Sequence, residues 1–403
     1  MAFPEITAAP RSAGMGVPRP VELVCFGLLV SNLAYLCASY FDGLWILTSH
    51  GGGIPTDFVN VWAAGRLVLE GHPAAVYDWP THKAAEEMAL GGPFAGYFGW
   101  HYPPVFLFAA AALALVPYGA AFGLWLAMTF PVYVVAIRAI VGSRIGYLFA
   151  AAFPAVLCNS LVGQNGFLSA GLMGGALLML TKRPVLAGIA FGALTYKPHL
   201  GILIPVALIA AGQWRTIAAA GVTTAVMSAI SWLAFGTETW RGFIGNIGHT
   251  STAFLSNGFA DFGKLQTAFG LVRTLGGSEP LAWIVQSLVI AAAAVLVAAL
   301  WRSRARYEIK AAGLAAASML ATPYLYTYDL VVLAVPLAFL LRVARESGFE
   351  PHELIMSGVA CALIVMFPFV TAPVGFFAVL VVAWLVARRA LQATAPAAGA
   401  PIL

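Results

Sequence analysis

The sequence predicts an all-α, polytopic integral membrane protein: a bundle of about twelve transmembrane helices with a large first loop that carries amphipathic helices. Three observations predict it. Of the 403 residues, 61% are hydrophobic and only 9% are charged. A soluble protein carries roughly 25% charged residues, so this chain cannot cover a water-facing surface. The mean hydropathy is +0.88. Apolar runs also recur along the whole chain, at 21–41, 119–141, 145–161, 165–181, 184–197, 199–212, 215–235, 281–301, 308–325, 327–343, 353–370 and 372–389. A span needs roughly 20 residues, and several runs are shorter. Short helices are tolerated where they are buried in protein or line a cavity.

Residues 1–20, rich in Pro, Ala and Gly, read as a disordered cytoplasmic tail, and 391–403 as a flexible C-terminal tail. Between them, 21–390 form one multi-spanning domain. The first apolar run is long enough to span. Leu36 stands before Cys37 where a lipoprotein signal needs a small residue, so the run reads as an uncleaved helix. Cys25, Cys37, Cys158 and Cys361 all lie in apolar runs with no metal-ligand spacing, and read as small buried hydrophobes. The formal net charge is +5, but the basic residues are scattered in short clusters, which is no nucleic-acid signature.

Charge sets the threading. The run 104–116 is short and bounded by Pro103-Pro104 and Pro117. If it does not cross and the N-terminus is cytoplasmic, 15 of the 21 Lys and Arg fall inside. Arg66, Lys83, Lys197, Arg241, Lys264 and Arg273 are then the six outside, with 10 of the 16 acidic residues. This separation predicts both termini in the cytoplasm. It also predicts two long outer loops, 42–103 and 236–280, and places six of the seven histidines outside.

In the first outer loop, Pro55-Thr56-Asp57-Phe58 opens a helix. Thr56 is the expected N-cap, and Gly71 with Pro73 the stop. Phe58, Val61, Trp62, Gly65, Val68 and Leu69 recur at helical spacing, while Asp57 and Asn60 share another face. The pattern predicts a helix lying on the membrane with its carboxylate toward water. A second helix is predicted at 82–90, capped by Thr81 and stopped by Gly91-Gly92-Pro93. The loop returns through Trp100-His101-Tyr102-Pro103. Asp57 fits a favourable first-turn charge as well as it fits catalysis. His101 and Tyr102 also fit an interfacial anchor.

Three further clusters interrupt apolar sequence on the same side. Gly163-Gln164-Asn165 is a tight turn, where Asn165 fits a helix cap. Tyr196-Lys197-Pro198-His199 places a lysine at the outer membrane edge, costly without an anionic partner, which favours a functional role. Thr322-Pro323-Tyr324-Leu325-Tyr326-Thr327-Tyr328-Asp329 ends in a carboxylate that fits a cap and a site equally, and its tyrosines fit an interfacial belt. Together these residues supply a carboxylate, a lysine, amides and aromatic rings at one membrane face. A lysine holds a phosphate, rings and amides suit a sugar, and a carboxylate can take a hydroxyl proton.

At these residues the sequence resembles glycosyltransferase family 87, whose members have the multi-spanning GT-C architecture and include polyprenyl-phosphate-mannose-dependent mannosyltransferases. The matching features, in order, are Asp57-Phe58, Gly71-His72-Pro73, Val76-Tyr77-Asp78, Tyr102-Pro103-Pro104, Gly163-Gln164-Asn165, Ala187-Gly188, Lys197-Pro198, Gln213-Trp214-Arg215, Pro323 and Tyr328-Asp329. They cover about residues 55–340. The resemblance implies an inverting membrane glycosyltransferase with Asp57 as catalytic base, Lys197 on the donor phosphate, and His101, Tyr102 and Gln164 lining the site. Asn60, Asn165, His199, Tyr324, Tyr328 and Asp329 join them as candidate substrate contacts. The mannosyl branch tends to carry histidine where this chain has Tyr328-Asp329. The donor sugar is therefore open between a mannose-like hexose and arabinofuranose.

The expected partners are membrane lipid, a polyprenyl-phosphate-sugar donor and a lipid or glycan acceptor, in the cell inner (plasma) membrane with the site facing outward. No nucleic acid, metal or other cofactor is expected. The alternative is a transporter or flippase of a lipid-linked or amphipathic solute. Such proteins carry ionisable or broken-helix sites near mid-membrane and often inverted repeats; here charge sits at helix ends and no repeat is visible.

Overall fold

The computed structural model describes residues 16–370 and 372–392. The tail expectations therefore fall largely outside the described residues. α1 (Arg19–Phe41) starts with Pro20 in its first turn, where a missing N–H costs nothing. Only Ser39 of α1 is buried, and Leu23, Val24, Phe26 and Leu33 are exposed. Such a surface suits lipid. Cys37 is exposed on it, contrary to the expectation of a buried hydrophobe, because α1 stands at the rim of the bundle.

The segment from 42 to 117 folds into a compact layer. Trp45 bridges to Leu47, and Leu47 to Gly53. Three helices belong to this layer: α2 (Phe58–Leu69), α3 (Trp79–Leu90) and α4 (Leu107–Leu113). α2 is not the surface helix that its pattern predicts. Phe58, Val59, Asn60, Ala63, Ala64 and Gly65 are all buried, because α3 and α4 close over it. Ala63 and Ala64 are the small residues on its polar side, and Gly65 on the apolar side lets α4 come close. A Cβ on Gly65 would lie 2.1 Å from the Ala110 carbonyl oxygen, so only glycine lets α2 and α4 meet here. The caps also differ. Thr56 contacts the Tyr118 hydroxyl at 3.4 Å instead of capping α2. α3 begins at Trp79, capped by Asp78, which accepts from the Thr81 N–H.

Pro104–Leu113, one helical stretch of ten residues, is about 15 Å long at 1.5 Å per residue, half a hydrocarbon core. The chain then returns to where α1 ended. The Tyr118 hydroxyl donates to the Ile54 carbonyl at 3.1 Å, and Leu47 packs on Gly119. The first long loop thus leaves and re-enters the bundle at one end.

From there the chain is helical almost throughout. α5 (Tyr118–Val141) is succeeded by α6 (Ile145–Ala152) and α7 (Ala155–Val162), bent by 59° at Phe153-Pro154. Next come α8 (Gly166–Met179), α9 (Pro184–Ala193) and α10 (Ile204–Ala210). α11 (Trp214–Ser251) absorbs much of the second predicted loop. It breaks at Gly236, whose φ of 81° suits glycine. α12 (Ala268–Thr274), α13 (Glu279–Arg302), α14 (Tyr307–Leu320), α15 (Ala334–Ser347), α16 (Glu353–Met366) and α17 (Val374–Gln392) complete the bundle.

Each predicted apolar run lies on helix, but the count of twelve does not carry over. Among the described residues six helices are long and apolar enough to cross a membrane, or seven with the bent pair as one span. Gly166–Met179, Pro184–Tyr196, Pro198–Ala210 and Glu353–Phe369 are shorter. The two ends of the bundle differ in chemistry. At one end Arg345 donates to the Val141 carbonyl at 3.1 Å, Arg306 pairs with Glu346, and Arg389 pairs with Glu353 at 2.6 Å. The other end carries the 42–117 layer and, beneath it, a cluster of buried polar side chains.

Candidate active site

Three turns and one helix start converge beneath the 42–117 layer. Gly163, at φ 66°, ends α7 between the rings of Phe58 and Phe122, where a Cβ would come within 3 Å of both. The turn is held by the Gly166 N–H donating to the Asn159 side chain at 2.9 Å. It presents Gln164 and Asn165. The Tyr102 hydroxyl donates to Gln164 Oε1 at 3.0 Å, and the Asn165 N–H donates to the same oxygen at 3.1 Å. With its oxygen engaged, Gln164 turns its amide to hydrogen-bond the Asp57 carboxylate.

Lys197 ends the 3-10 turn that continues α9. Pro198 disfavours helical geometry at the residue before it, and Lys197 takes φ −135°. Its side chain turns inward and is 4% exposed. The ammonium donates to Asn165 Oδ1 at 2.6 Å and forms an ion pair with Asp329. Asp329 is 1% exposed, and its other oxygen accepts from the Tyr326 N–H at 3.2 Å. Cap and cluster member are thus one residue. Asn165 makes no side-chain cap; its oxygen serves the lysine. Tyr328 lies beside the pair, its ring centroid 5.5 Å from the Lys197 nitrogen, and stacks on Tyr326.

Asp57, the last residue before α2, faces this group. Burial pushes its pKa up to about 6. The Gln164 hydrogen bond opposes that shift, the Asp329 charge reinforces it, and the charges of Lys197 and Lys264 oppose it. Among the described residues Asp57 has no ion-pair partner. The result is a carboxylate still ionised at neutral pH, yet more basic than free aspartate.

The structure therefore brings Asp57, Tyr102, Gln164, Asn165, Lys197, Tyr328 and Asp329 together. His101, Tyr324 and Asn60 make their contacts elsewhere. His101 bonds the Thr250 hydroxyl through Nδ1 at 3.0 Å and meets the edge of Phe254, tying the layer to the end of α11. Burial holds its pKa down, to about 4. Tyr324 reaches Ser251 and packs in the small cluster around Leu255 and Phe269. Asn60 lies under α3, with its carbonyl 3.2 Å from His82 Nε2. His199 lies close enough to Lys197 to feel its charge, and its Nε2 has no hydrogen-bond partner among the described residues. Among the described residues no group of three or more His, Cys, Asp or Glu could hold a metal ion. A groove of about 510 Å³ beside the Gly236 break, lined by His72, Pro73 and Thr237, contains none of the clustered groups.

The sequence model of one family, glycosyltransferase family 87, matches residues 100–323, over half the chain. The chain belongs to glycosyltransferase family 87. No curated protein and no solved structure matches it. The matched segment of this family 87 glycosyltransferase includes Tyr102, Gln164, Asn165 and Lys197, while Asp57 and Asp329 lie outside it. Several supporting residues escape the sequence pattern. Asn159 fixes the Gly163 turn, and Ser169 and Tyr196 bond each other at 2.6 Å beneath it. Lys264 acts electrostatically on Asp57. His82 and Glu86, both fully buried, face each other at 3.7 Å; their i,i+4 spacing on a predicted helix is the one signal of them in the sequence.

Proposed function

We propose that this membrane glycosyltransferase moves a sugar from a polyprenyl-phosphate donor to an acceptor hydroxyl on a lipid or glycan, with inversion, on the non-cytoplasmic face of the plasma membrane. The observation that carries this reading is the Asp57 carboxylate. Among the described residues it has no ion-pair partner; it is raised in basicity by burial and set beside a lysine that is itself anchored. Asp57 takes the acceptor proton as the acceptor oxygen attacks the anomeric carbon. The bond from that carbon to the phosphate oxygen breaks, and its electron pair leaves on the phosphate. Lys197 has three N–H donors, of which Asn165 and Asp329 occupy two. The third is left for a phosphate oxygen. Tyr102 and Tyr328 supply ring and hydroxyl surface to a sugar, either a mannose-like hexose or arabinofuranose.

Outward placement of the site rests on the charge separation of the loops, and membership of the family favours transfer over transport. The test is sugar transfer from radiolabelled polyprenyl-phosphate sugars by purified protein in lipid nanodiscs. Wild type should transfer label to a lipid or glycan acceptor and Asp57→Asn should not. Equal transfer by both proteins would remove Asp57 from the reaction.

A further inference from the structure

The proposed donor carries a phosphate whose negative charge grows as the sugar leaves. A cation should meet it, and Lys197 alone is poorly suited. Its charge is matched by Asp329 in a pair that is almost wholly buried, so the pair adds no net positive charge to the site.

Six basic residues lie in the loops on this side, and five are engaged. Lys197 is paired with Asp329. Arg66 pairs with Glu70 at 3.0 Å, Lys83 with Glu87 at 3.5 Å, and Arg241 with Glu238. Arg273 donates to the carbonyls of Gly277 and Ser256 and covers the Phe262 ring. Among the described residues, Lys264 alone of the six has no carboxylate within ion-pair reach and no side-chain hydrogen bond. It is also exposed, and its charge is felt at Asp57.

Its position is built into the fold. Asp261 caps the turn by accepting from the Gly263 N–H at 2.9 Å. Gln266, 1% exposed, clamps the other end of the same turn. Its backbone N–H donates to the Leu325 carbonyl at 2.7 Å, and its amide donates to the Gly263 and Lys264 carbonyls at 3.0 and 3.1 Å. Its side-chain oxygen accepts from the Gly375 N–H at 2.7 Å, at the start of α17. The backbone of Lys264 is thereby fixed to the segment that carries Tyr326, Tyr328 and Asp329. An exposed lysine on a free loop would be only a solvated charge; this one sits on a turn clamped to the Tyr326–Asp329 segment, within electrostatic reach of Asp57.

We propose that Lys264 receives the donor phosphate and supplies the net positive charge that the Lys197–Asp329 pair does not. The inference rests on the reading of the site as one for a phosphate-linked sugar donor. The negative charge that builds on the phosphate oxygen during departure is then drawn toward the Lys264 ammonium.

The test is binding of short-chain polyprenyl monophosphate to the purified full-length protein in phosphatidylcholine nanodiscs. Wild type, Lys264→Ala, Lys264→Arg and Arg66→Ala are compared. A charge-assisted contact predicts a roughly tenfold to hundredfold loss of affinity in Lys264→Ala. Lys264→Arg should keep most of it and Arg66→Ala all of it. The Michaelis constant for the sugar donor should rise in Lys264→Ala while that for the acceptor holds. If wild type binds the monophosphate and Lys264→Ala binds it equally well, Lys264 is not the contact, although the donor reading stands. If the alanine defect appears only in discs containing phosphatidylglycerol, Lys264 meets a lipid headgroup and the proposal fails. If wild type neither binds the monophosphate nor transfers sugar, the reading of the site itself falls.

Discussion

The Tyr102 hydroxyl donates to the side-chain oxygen of Gln164 at 3.0 Å, and this contact leaves the Gln164 amide to face Asp57. Tyr102→Phe removes one of the two donors that fix the amide's orientation and leaves only the Asn165 N–H. The hydrogen bond that holds the Asp57 pKa down is then weakened, while burial still pushes it up. The acid limb of the rate–pH profile, near pH 6 in wild type, should move upward in Tyr102→Phe. Steady-state transfer measured from pH 5 to 8 checks it, and an unmoved midpoint would count against the hydrogen-bond account.

Asp57→Asn separates catalysis from stability. Loss of a general base costs about 10²–10⁴-fold in rate. Stability should move the other way. The folded pKa of about 6 lies above the ordinary aspartate value of 3.8, so the folded state holds this proton more tightly. Asp57 therefore costs stability as pH rises from about 4 to 6, and the cost is complete at neutral pH. Thermal denaturation at pH 7 should show the asparagine protein at least as stable as wild type. A variant both inactive and markedly less stable would point to a structural role.

The Lys197–Asp329 pair predicts a different pattern. Removing either partner leaves a buried charge alone, at a cost of about 3–5 kcal/mol. Lys197→Ala and Asp329→Ala should each lower the yield of monodisperse protein and its melting temperature. The double change Lys197→Met with Asp329→Leu should recover much of both without recovering activity. Single alanine variants as stable as that double variant would mean that the pair is not what holds the two turns together.

Gly65 sets the distance between α2 and α4. Gly65→Ala forces the two backbones apart, since the new Cβ would lie 2.1 Å from the Ala110 carbonyl oxygen. Overpacking of this kind costs about 1–3 kcal/mol. A lower melting temperature with reduced transfer is expected; unchanged stability and rate would show that the helices separate freely.

Glu86 predicts an alkaline effect. Burial first, then the charges of Asp57 and Glu87, push its pKa up to about 8, against the Phe98 N–H and Lys83. The folded state thus holds a proton on Glu86 that the unfolded chain releases above about pH 4.5. This contribution falls as pH rises through that window and is lost above pH 8. Glu86→Gln cannot ionise, so its melting temperature should decline less than that of wild type between pH 6 and 9. Parallel declines would contradict a neutral Glu86.

The apolar runs are legible in the sequence because helix formation and lipid contact are local properties of composition. Their lengths are not, because Pro154 bends the 145–161 run into two short helices without interrupting hydropathy, and α11 runs on through the polar residues that follow Gly236. Gln164, Lys197 and Asp329 stand out as polar residues at the ends of apolar runs, and Asp57 as a carboxylate at the start of a predicted helix in the first outer loop. The sequence can say that Lys197 needs an anion; it cannot say that the anion is Asp329, because nothing local encodes a contact across 132 residues. The burial of α2 is hidden for a related reason. A helix covered on both sides by small-residue contacts keeps an amphipathic pattern while losing its water-facing side. Lys264 gives no motif at all, since its setting depends on Gln266 reaching Leu325 and Gly375.

The distance in sequence between Lys197 and Asp329 also imposes an order on biogenesis. When the ribosome has delivered Lys197 to the translocon, its carboxylate partner is still unsynthesised, and α10 to α14 must emerge before it arrives. Until then the ammonium has only the neutral Asn165 to lean on. A chain truncated between residues 197 and 329 keeps that unmatched charge. Quality-control machinery that samples charge within the membrane would thus meet a ready mark of the unfinished protein.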